Sequence, residues 1–264
     1  MIFQDIVCDE PEEGVFRILQ NRPDQRNAQT PHLLAELDQA LDAAGRDDEI
    51  RVVIIGGVGA HFSAGHDLKE AQENRRGFTV EQRWELEERV YLNYCLRIRN
   101  FPKPTIAQVQ GACIAGGFMV ANMCDLLVAS DDAFFSDPVL HSLGAAAVEV
   151  LVHPYVLGNR KAKEMLFAAG RVTAQEALQC GMANKVVPRE ELEAATLELA
   201  KRVARAPAFS TMILKRSINR AEDIGGFSNA LAAHFDTHQV SHVSQACNSV
   251  RAEGFSSSLK TAKQ

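Results

Sequence analysis

The segment Arg51–Gly56, which reads RVVIIG, places the strongest constraint on the fold of this chain. Four consecutive β-branched residues favour an extended strand, and a run without polar alternation is typical of a strand that is buried on both faces. Such strands occur in parallel sheets that carry helices on both sides, because each face has to be covered. The segment therefore predicts a core of the α/β class.

Segments that favour strands and segments that favour helices alternate along the first half of the chain. The predicted strands are Val15–Leu19, Arg51–Gly56, Thr105–Val109 and Leu126–Ala129. The first predicted helix begins at Pro31, since Thr30 can cap it, and it ends near Gly45. A second, long helix is predicted over Glu81–Asn100. Buried strands that alternate with helices predict parallel βαβ units.

From about Gly158 onward the pattern is helical only. A capping box, Thr173-Ala174-Gln175-Glu176, begins one helix. Three further helices are predicted, from Pro188 to about Ala206, over Ala208–Ala221 and over about Gly226–Ser249. Residues 251–264 have little helical pattern and are expected to be loose. The sequence thus predicts an α/β core followed by a helical C-terminal region.

Composition and charge narrow the functional classes. The 264 residues, 46% of them hydrophobic, are enough for one sizeable core. A net charge of -6 gives no support to a nucleic-acid partner, which usually needs a clustered basic face. The six cysteines are scattered without a C-x-x-C pair, so we expect reduced thiols. The acidic N-terminus is unlike a signal peptide and no apolar run is long enough to span a membrane, so we expect a cytoplasmic protein.

Two glycine-rich segments each follow a predicted strand. They are His61–Leu68 (HFSAGHDL) and Gln110–Met119 (QGACIAGGFM). Small residues let a ligand approach the backbone, and a helix that begins there offers unpaired N–H groups with a partial positive charge. Two such helix starts that converge could bind one carbonyl oxygen, which is the geometry of an oxyanion hole.

Other interpretations apply to the same segments. The sequence GGVGAHF resembles a dinucleotide-binding fingerprint, but Phe62 stands where the third glycine should be. His61, His66 and Asp67 suggest metal ligands, but no second cluster with matching spacing accompanies them, so we predict no metal. Either segment alone could be only a tight connection between a strand and a helix. The two together are more specific.

In order and spacing, the two segments resemble the crotonase (enoyl-CoA hydratase/isomerase) superfamily. FSAGHDL is followed by FPKPTIAQVQGACIAGG and then by CDLLVAS and AFFSDP, and NRPDQRNA upstream resembles that family's N-R-P…N-A segment. The resemblance covers roughly Val15 to Val187. It implies a crotonase-like (ClpP/crotonase) core of repeated ββα units over residues 1–190 and a C-terminal helical trimerisation region over residues 191–264. The implied assembly is a homotrimer or a dimer of trimers.

The resemblance also implies roles for individual residues. The two oxyanion amides fall on His66, before the Asp of the A-G-x-D motif, and on Gly116, the middle glycine of the second turn. The implied substrate is an acyl-CoA thioester; coenzyme A is part of it, and no separate cofactor is expected. The residues expected to bind the CoA and acyl groups are Asp24, Gln25, Arg26, Ala64, Asp67, Leu68, Met119 and Val139.

The chain departs from the family pattern at the acid–base positions. Typical hydratases carry two glutamates that orient and activate water, and Met119 and Val139 occupy those positions here. A positioned acid or base is worth about 10²–10⁴-fold, so the usual water addition should be impaired or rerouted. Glu149, a lone charge in AAAVEV, and Asp137 are the candidate replacements. A helix-surface position for Glu149 is an equal alternative, and the imidazole of His66 is expected to be a bystander.

The histidines leave further alternatives open. His234, His238 and His242 recur every four residues and line one helix face. A metal site or a proton relay would fit that spacing, but a subunit contact or a solvated face is the favoured interpretation. His141 is expected at the edge of the core or in solvent.

Three classes of function fit these features. The first is an acyl-CoA enzyme of the hydratase/isomerase type that stabilises a thioester enolate. Within it, hydration, isomerisation and decarboxylation all remain open, and a decarboxylase best tolerates the loss of both glutamates because it needs no base to remove a proton. The second class is a non-catalytic acyl-CoA binder, and the third is a scaffold that has kept only the fold.

Overall fold

A computed structural model describes residues 2–75 and 77–254 of the chain. The strands are β1 (Ile6–Glu12), β2 (Val15–Gln20), β3 (Val52–Gly57), β4 (Thr105–Val109), β5 (Ala112–Ile114), β6 (Leu126–Ser130), β7 (Phe134–Ser136), β8 (Val172–Thr173) and β9 (Lys185–Val187). The α-helices are α1 (Pro31–Arg46), α2 (Leu68–Asn74), α3 (Val80–Glu87), α4 (Asn93–Arg99), α5 (Gly116–Met123), α6 (Val139–Leu143), α7 (His153–Leu157), α8 (Asn159–Ala168), α9 (Ala174–Gln179), α10 (Leu192–Ala204), α11 (Ala208–Ile224), α12 (Phe227–Ser241) and α13 (Gln245–Glu253).

The central sheet has six strands in the order β1-β2-β3-β4-β6-β9. All neighbours from β2 to β9 pair in parallel, and only β1 runs antiparallel to its neighbour. Every residue of β3 is buried, as expected for a strand covered on both faces. The predicted strands and their parallel βαβ arrangement are therefore confirmed.

A smaller sheet, in the order β5-β7-β8, stands beside the central one. Each of its first two strands directly follows a central strand and leads into a helix, so β4-β5-α5 and β6-β7-α6 are successive ββα units. This confirms the predicted crotonase-like core. The short strand β5 lies between β4 and the turn that begins α5.

Two buried apolar clusters lie on opposite faces of the central sheet. The larger one holds residues of α1, α4 and α5, together with Phe227, Leu231 and Phe235 of α12. The smaller one joins the other sheet face to Leu192 and Ala195 of α10. Helices on the C-terminal side of the predicted boundary at residue 190 therefore share both cores with the sheet.

Several predicted helix boundaries and one regional pattern were wrong. The helix over Glu81–Asn100 is interrupted by a π-helical turn at Glu88–Leu92. The helix over Gly226–Ser249 ends at Ser241, because Ser244 caps a new helix by accepting the Cys247 N–H. The region after Gly158 also contains β8 and β9, so it is not only helical.

Two expectations about the chain ends and thiols can be compared with the structure. Helix α13 extends to Glu253, so the first residues of the predicted loose tail are helical, and residues 255–264 lie outside the described part. All six cysteines are free thiols. None of the helices in the described part of the chain is long and apolar enough to cross a membrane.

Candidate active site

The two glycine-rich segments lie side by side. Phe62 N–H donates to Gln110 O at 2.7 Å, and Ile114 N–H donates to Ser63 O at 2.9 Å. Gly65 has a φ of +88°, and a Cβ built on it would come within 3.0 Å of the nitrogen of Gly116. Only glycine allows this approach, since any side chain at Gly65 would meet the backbone of the second segment.

The amides of His66 and Gly116 are both free donors. Neither N–H has an acceptor among residues 2–75 and 77–254. Gly116 is the first residue of α5, so its N–H belongs to the unpaired first turn of a helix. The preceding Ala115 is held at φ +49°, a strained conformation for a residue with a side chain, and such strain is concentrated at functional sites.

The imidazole of His66 is fixed on several sides. Its Nε2 lies 3.1 Å from a carboxylate oxygen of Glu149, and its ring stacks on Tyr91 with 3.8 Å between centroids. A Cβ built on Gly116 would lie 2.8 Å from His66 Nδ1, so the ring also covers that glycine. Nδ1 is buried and has no partner among the described residues. The side chain expected to be a bystander is thus the direct partner of Glu149.

Tyr91 owes its position to the π-helical turn between α3 and α4. The phenol oxygen accepts from Arg75 at 2.6 Å, and Arg75 also pairs with Glu70 of α2 at 2.9 Å. π-helical turns inside α-helices occur frequently at functional sites. Here the turn brings an aromatic ring against the imidazole.

Glu149 is a buried carboxylate with 4% of its surface exposed, so the helix-surface alternative is wrong. It lies in the segment between α6 and α7 and forms part of a pocket wall together with His66 and Val139. Burial acts to raise the pKa of Glu149, but the charge and hydrogen bond of His66 outweigh burial. The pKa therefore lies below the ordinary glutamate value, and the group is ionised at neutral pH.

Asp137 supports this segment from behind. Its two oxygens accept the N–H groups of Val139 and Val148, each at 3.1 Å, and the fully buried His153 lies 3.2 Å away. Asp137 is itself fully buried and does not line the pocket. We therefore do not retain it as an acid or base, because both oxygens already hold backbone donors next to Glu149.

We expect Asp137→Asn to lower the free energy of unfolding by about 1–3 kcal/mol, because an amide nitrogen would face a backbone N–H and leave it unsatisfied. Urea denaturation of both proteins measures the change. The control is Asp131→Asn on the exposed surface, which should stay within about 0.5 kcal/mol. Equal effects of the two substitutions would contradict the supporting role.

A second polar group lies behind Glu149. His238 Nε2 is 3.8 Å from Glu149 Oε1 and 3.6 Å from the buried Glu87, and His242 Nε2 is 3.3 Å from the same Glu87 oxygen. His234 is half-buried and contacts Val148 O at 2.8 Å. The solvated-face alternative for these histidines was therefore wrong, since they pack against α3 and the Glu149 segment, and the subunit-contact alternative stays a prediction.

Glu87, His238 and His242 are close enough to hold a metal ion. Their surroundings argue against one. Arg251 lies 2.7 Å from His242 Nδ1, and because a guanidinium can only donate, Nδ1 is the acceptor. The Nε2 of a neutral His242 then carries the proton and has no lone pair for a metal. We therefore propose no metal at this position.

The residues expected to bind CoA lie beside the first glycine-rich segment. Asp24, Gln25 and Arg26 are exposed, on and just after a short 3-10 turn at Pro23–Gln25. The N–H of Ala64 donates to Arg26 O at 2.9 Å, so the two predicted segments are joined. Whether they bind a nucleotide stays a prediction.

The other residues predicted to contact the substrate have three different positions: in the pocket wall, at a helix cap and in the hydrophobic core. Val139 and Leu68 line the pocket with His66, whereas Met119 is a core residue that is 1% exposed. Asp67 caps α2 and pairs with Arg22 at 3.0 Å, which gives it a structural task. His141 is exposed and contacts Phe167 O at 2.8 Å, as expected for a histidine at the edge.

Sequence reasoning missed the residues that surround the Glu149–His66 pair. They are Arg75, Arg83, Glu87, Tyr91 and Arg251. Arg75, Arg83 and Glu87 lie in charged, helix-forming sequence, where one more Glu or Arg carries no signal. The one indication in the sequence was the spacing of His238 and His242. This spacing shows that the two rings lie on the same helix face, but it does not show which residues that face contacts.

A larger cavity of about 390 Å³ lies elsewhere, next to α11. Its lining includes Lys215, Ile218 and Phe227 but neither glycine-rich segment. We therefore place the candidate site at the smaller pocket, which is lined by His66 and the buried Glu149, with Gly116 against the His66 ring.

Known proteins match this chain over most of its length. The family model for enoyl-CoA hydratase/isomerase matches residues 10–257. The chain belongs to that family. Among its relatives is EchA13 of Mycobacterium tuberculosis, which carries the name of an enoyl-CoA hydratase and is 42% identical over 258 residues, covering 91% of this chain and 81% of that protein.

Solved structures of the family have the same fold. An enoyl-CoA hydratase/isomerase from Xanthobacter autotrophicus Py2 is 32% identical with a TM-score of 0.91, over 99% of this chain and 98% of its own. A structure described as an enoyl-CoA hydratase from Mycobacterium smegmatis is 46% identical with a TM-score of 0.85, over 92% of this chain and 95% of its own. The crotonase assignment made from the glycine motifs is confirmed.

Proposed function

We propose that this protein is an acyl-CoA enzyme of the hydratase/isomerase type that stabilises a thioester enolate. The amides of His66 and Gly116 would bind the thioester oxygen, and Glu149, held by His66, would transfer the proton. The observation that carries the proposal is the 3.1 Å contact between His66 Nε2 and Glu149, next to two free backbone donors. Coenzyme A would arrive as part of the substrate, and no separate cofactor is needed.

The two backbone amides would form a preorganised oxyanion hole. Charge on the thioester oxygen grows as the enolate forms, so fixed donors bind the transition state more strongly than the ground state. A carboxylate kept ionised by His66 can accept the proton from the carbon beside the thioester. Strained Ala115 and glycine-only Gly65 fit a site in which backbone position matters more than local stability.

The arrangement favours isomerisation over the usual hydration. The family's two glutamate positions hold Met119, which is buried in the core, and Val139, which is apolar. Moving a proton from one carbon to another needs one group, and Glu149 supplies it. Hydration would need Glu149 to act twice or to share the task with Glu87.

The test is to incubate the protein in D2O with a 3-enoyl-CoA, a 2-enoyl-CoA and crotonyl-CoA and to follow products by mass spectrometry. We expect deuterium incorporation and migration of the double bond, with little hydration of crotonyl-CoA. If hydration is faster than migration of the double bond, the proposed reaction is hydration and not isomerisation. Binding without exchange or turnover on the three thioesters would favour the non-catalytic binder, and no binding at all would favour the scaffold.

The enzyme is proposed to act in the cytoplasm as a homotrimer or a dimer of trimers. The free cysteines fit a reducing compartment. Helix α11 buries only Lys215 and leaves a set of large apolar side chains exposed, a surface typical of an interface. These side chains are Phe209, Ile213, Leu214, Ile218 and Ile224.

We expect the double substitution Leu214→Asp with Ile218→Asp to convert the oligomer to monomers, because buried, unpaired carboxylates would oppose contact between copies. Size-exclusion chromatography with light scattering measures the mass. Arg216→Asp, a charge change on the same helix outside this apolar set, is the control and should keep the oligomer. An unchanged mass for the double variant would remove α11 from the interface.

A further inference from the structure

The pocket beside Glu149 has two chemically different sides. Part of its lining is apolar and consists of Leu68, Val139, Leu143, Ala147 and Val148. The charged and polar lining residues contact one another in a cluster that we call the polar end, and they are Arg83, Glu87, His238, His242 and Arg251. An acyl chain against the apolar residues would therefore end near charged groups, and a plain hydrocarbon end would leave any unpaired donor among them without solvent or partner.

The carboxylates of the lining already have partners. Glu149 is bonded to His66. Glu87 accepts from Gln239 at 2.7 Å and lies 3.4 Å from Arg83. Both oxygens of Glu87 thus hold a donor, and Glu149 is the group assigned to the proton transfer, so a hydroxyl or amino group at the acyl end would find little to bind.

Arg251 is in the opposite situation. Its guanidinium donates to His242 O at 3.1 Å and to His242 Nδ1 at 2.7 Å, and no carboxylate of the described residues forms an ion pair with it. Burial and the nearby charge of Arg83 lower the pKa of Arg251, as expected where a positive charge lacks a counter-charge. A guanidinium carries five N–H donors in a planar fork, so three donors have no acceptor among residues 2–75 and 77–254 and are available to a ligand.

The ligand that fits this fork is a carboxylate, which accepts two parallel hydrogen bonds from arginine. We propose that the polar end binds a carboxylate at the far end of the acyl group, with Arg251 as its main donor, so that the substrates are CoA thioesters of dicarboxylic acids. This inference rests on the proposed function, because it names the substrate class of the same pocket.

A matched pair of substrates tests the inference. Hexenoyl-CoA and hexenedioyl-CoA have the same number of acyl carbons and differ in ending with a methyl group or a carboxylate. We expect kcat/KM of the native protein, measured from double-bond migration, to be about tenfold to a hundredfold higher for hexenedioyl-CoA, the range given by a charged hydrogen bond. Arg251→Gln should remove most of that preference by lowering the value for hexenedioyl-CoA alone, and Arg251→Lys should keep part of it.

The contrary outcomes are distinct. Turnover of both thioesters at similar kcat/KM, unchanged in Arg251→Gln, would overturn the carboxylate subsite and leave the proposed function intact. An equal loss for both thioesters, with weaker calorimetric binding of free coenzyme A, would show that Arg251 meets a CoA phosphate and would also overturn the subsite. No binding of either thioester by the native protein would overturn the proposed function and the subsite together.

Discussion

Glu149→Gln is expected to lower the rate of proton exchange and of double-bond migration by about 10²–10⁴-fold, the range lost when a positioned acid or base is removed. Glutamine keeps the size of the side chain and can still accept from His66, but it cannot take a proton from carbon. Mass spectrometry of deuterium incorporation into the acyl-CoA measures the loss. Binding of the thioester should change little, because the proposed hole is made of backbone amides.

Two further observations make this experiment specific. Glu36 is also buried, and it accepts the N–H groups of Gln4 and Asp5 far from the pocket, so Glu36→Gln is a matched control that should leave the rate unchanged. Because His66 outweighs burial and lowers the pKa of Glu149, the carboxylate stays ionised until the pH falls below the ordinary glutamate range. The acid limb of kcat/KM should therefore lie below that range in the native protein. A folded Glu149→Gln protein with native exchange rates would remove Glu149 from the chemistry.

The central strands could be predicted because their environment leaves a pattern. Strand β4 was predicted with its observed limits, and β3 was displaced by only one residue, since both are buried on two faces and read as continuous apolar runs. Strand β1 was missed because it is an edge strand with a charged, proline-containing sequence and much of it exposed. Strands β8 and β9 have two and three residues, too few to show any period.

For a related reason, only part of the candidate site could be predicted from the sequence. Backbone donors lie beside glycines, because a close approach of two backbones excludes a side chain. The two glycine-rich segments, through the family resemblance, therefore indicated the amides of His66 and Gly116. The side chains that contact Glu149 and His66 have no comparable sequence signal. Nothing local to Tyr91 shows that a π-helical turn places it against His66, and nothing local to Glu87 or Arg251 shows that packed helices bring them to one pocket. That information lies in tertiary packing, so it appears only when the chain is folded.

Gly116→Pro and Gly116→Ala together isolate the contribution of one backbone N–H. A Cβ at this position would come within 2.8 Å of His66 Nδ1 and within 2.7 Å of Gln29 Oε1, so both substitutions displace the imidazole. Only proline also removes the donor. We expect turnover to fall in Gly116→Ala and to fall by a further factor of about 10²–10³ in Gly116→Pro, the usual cost of one oxyanion donor.

Proline is tolerated at the first position of a helix, so Gly116→Pro should still fold and assemble. Asn159→Pro, at the first position of α8 far from the pocket, is the control for the backbone effect and should retain native turnover. Circular dichroism and light scattering show whether each variant keeps its fold and its mass. If folded Gly116→Pro and Gly116→Ala are equally active, the N–H of Gly116 does not bind the developing negative charge. The thioester oxygen would then have to be stabilised by another group, because a single amide from His66 gives only one of the two donors that the enolate requires.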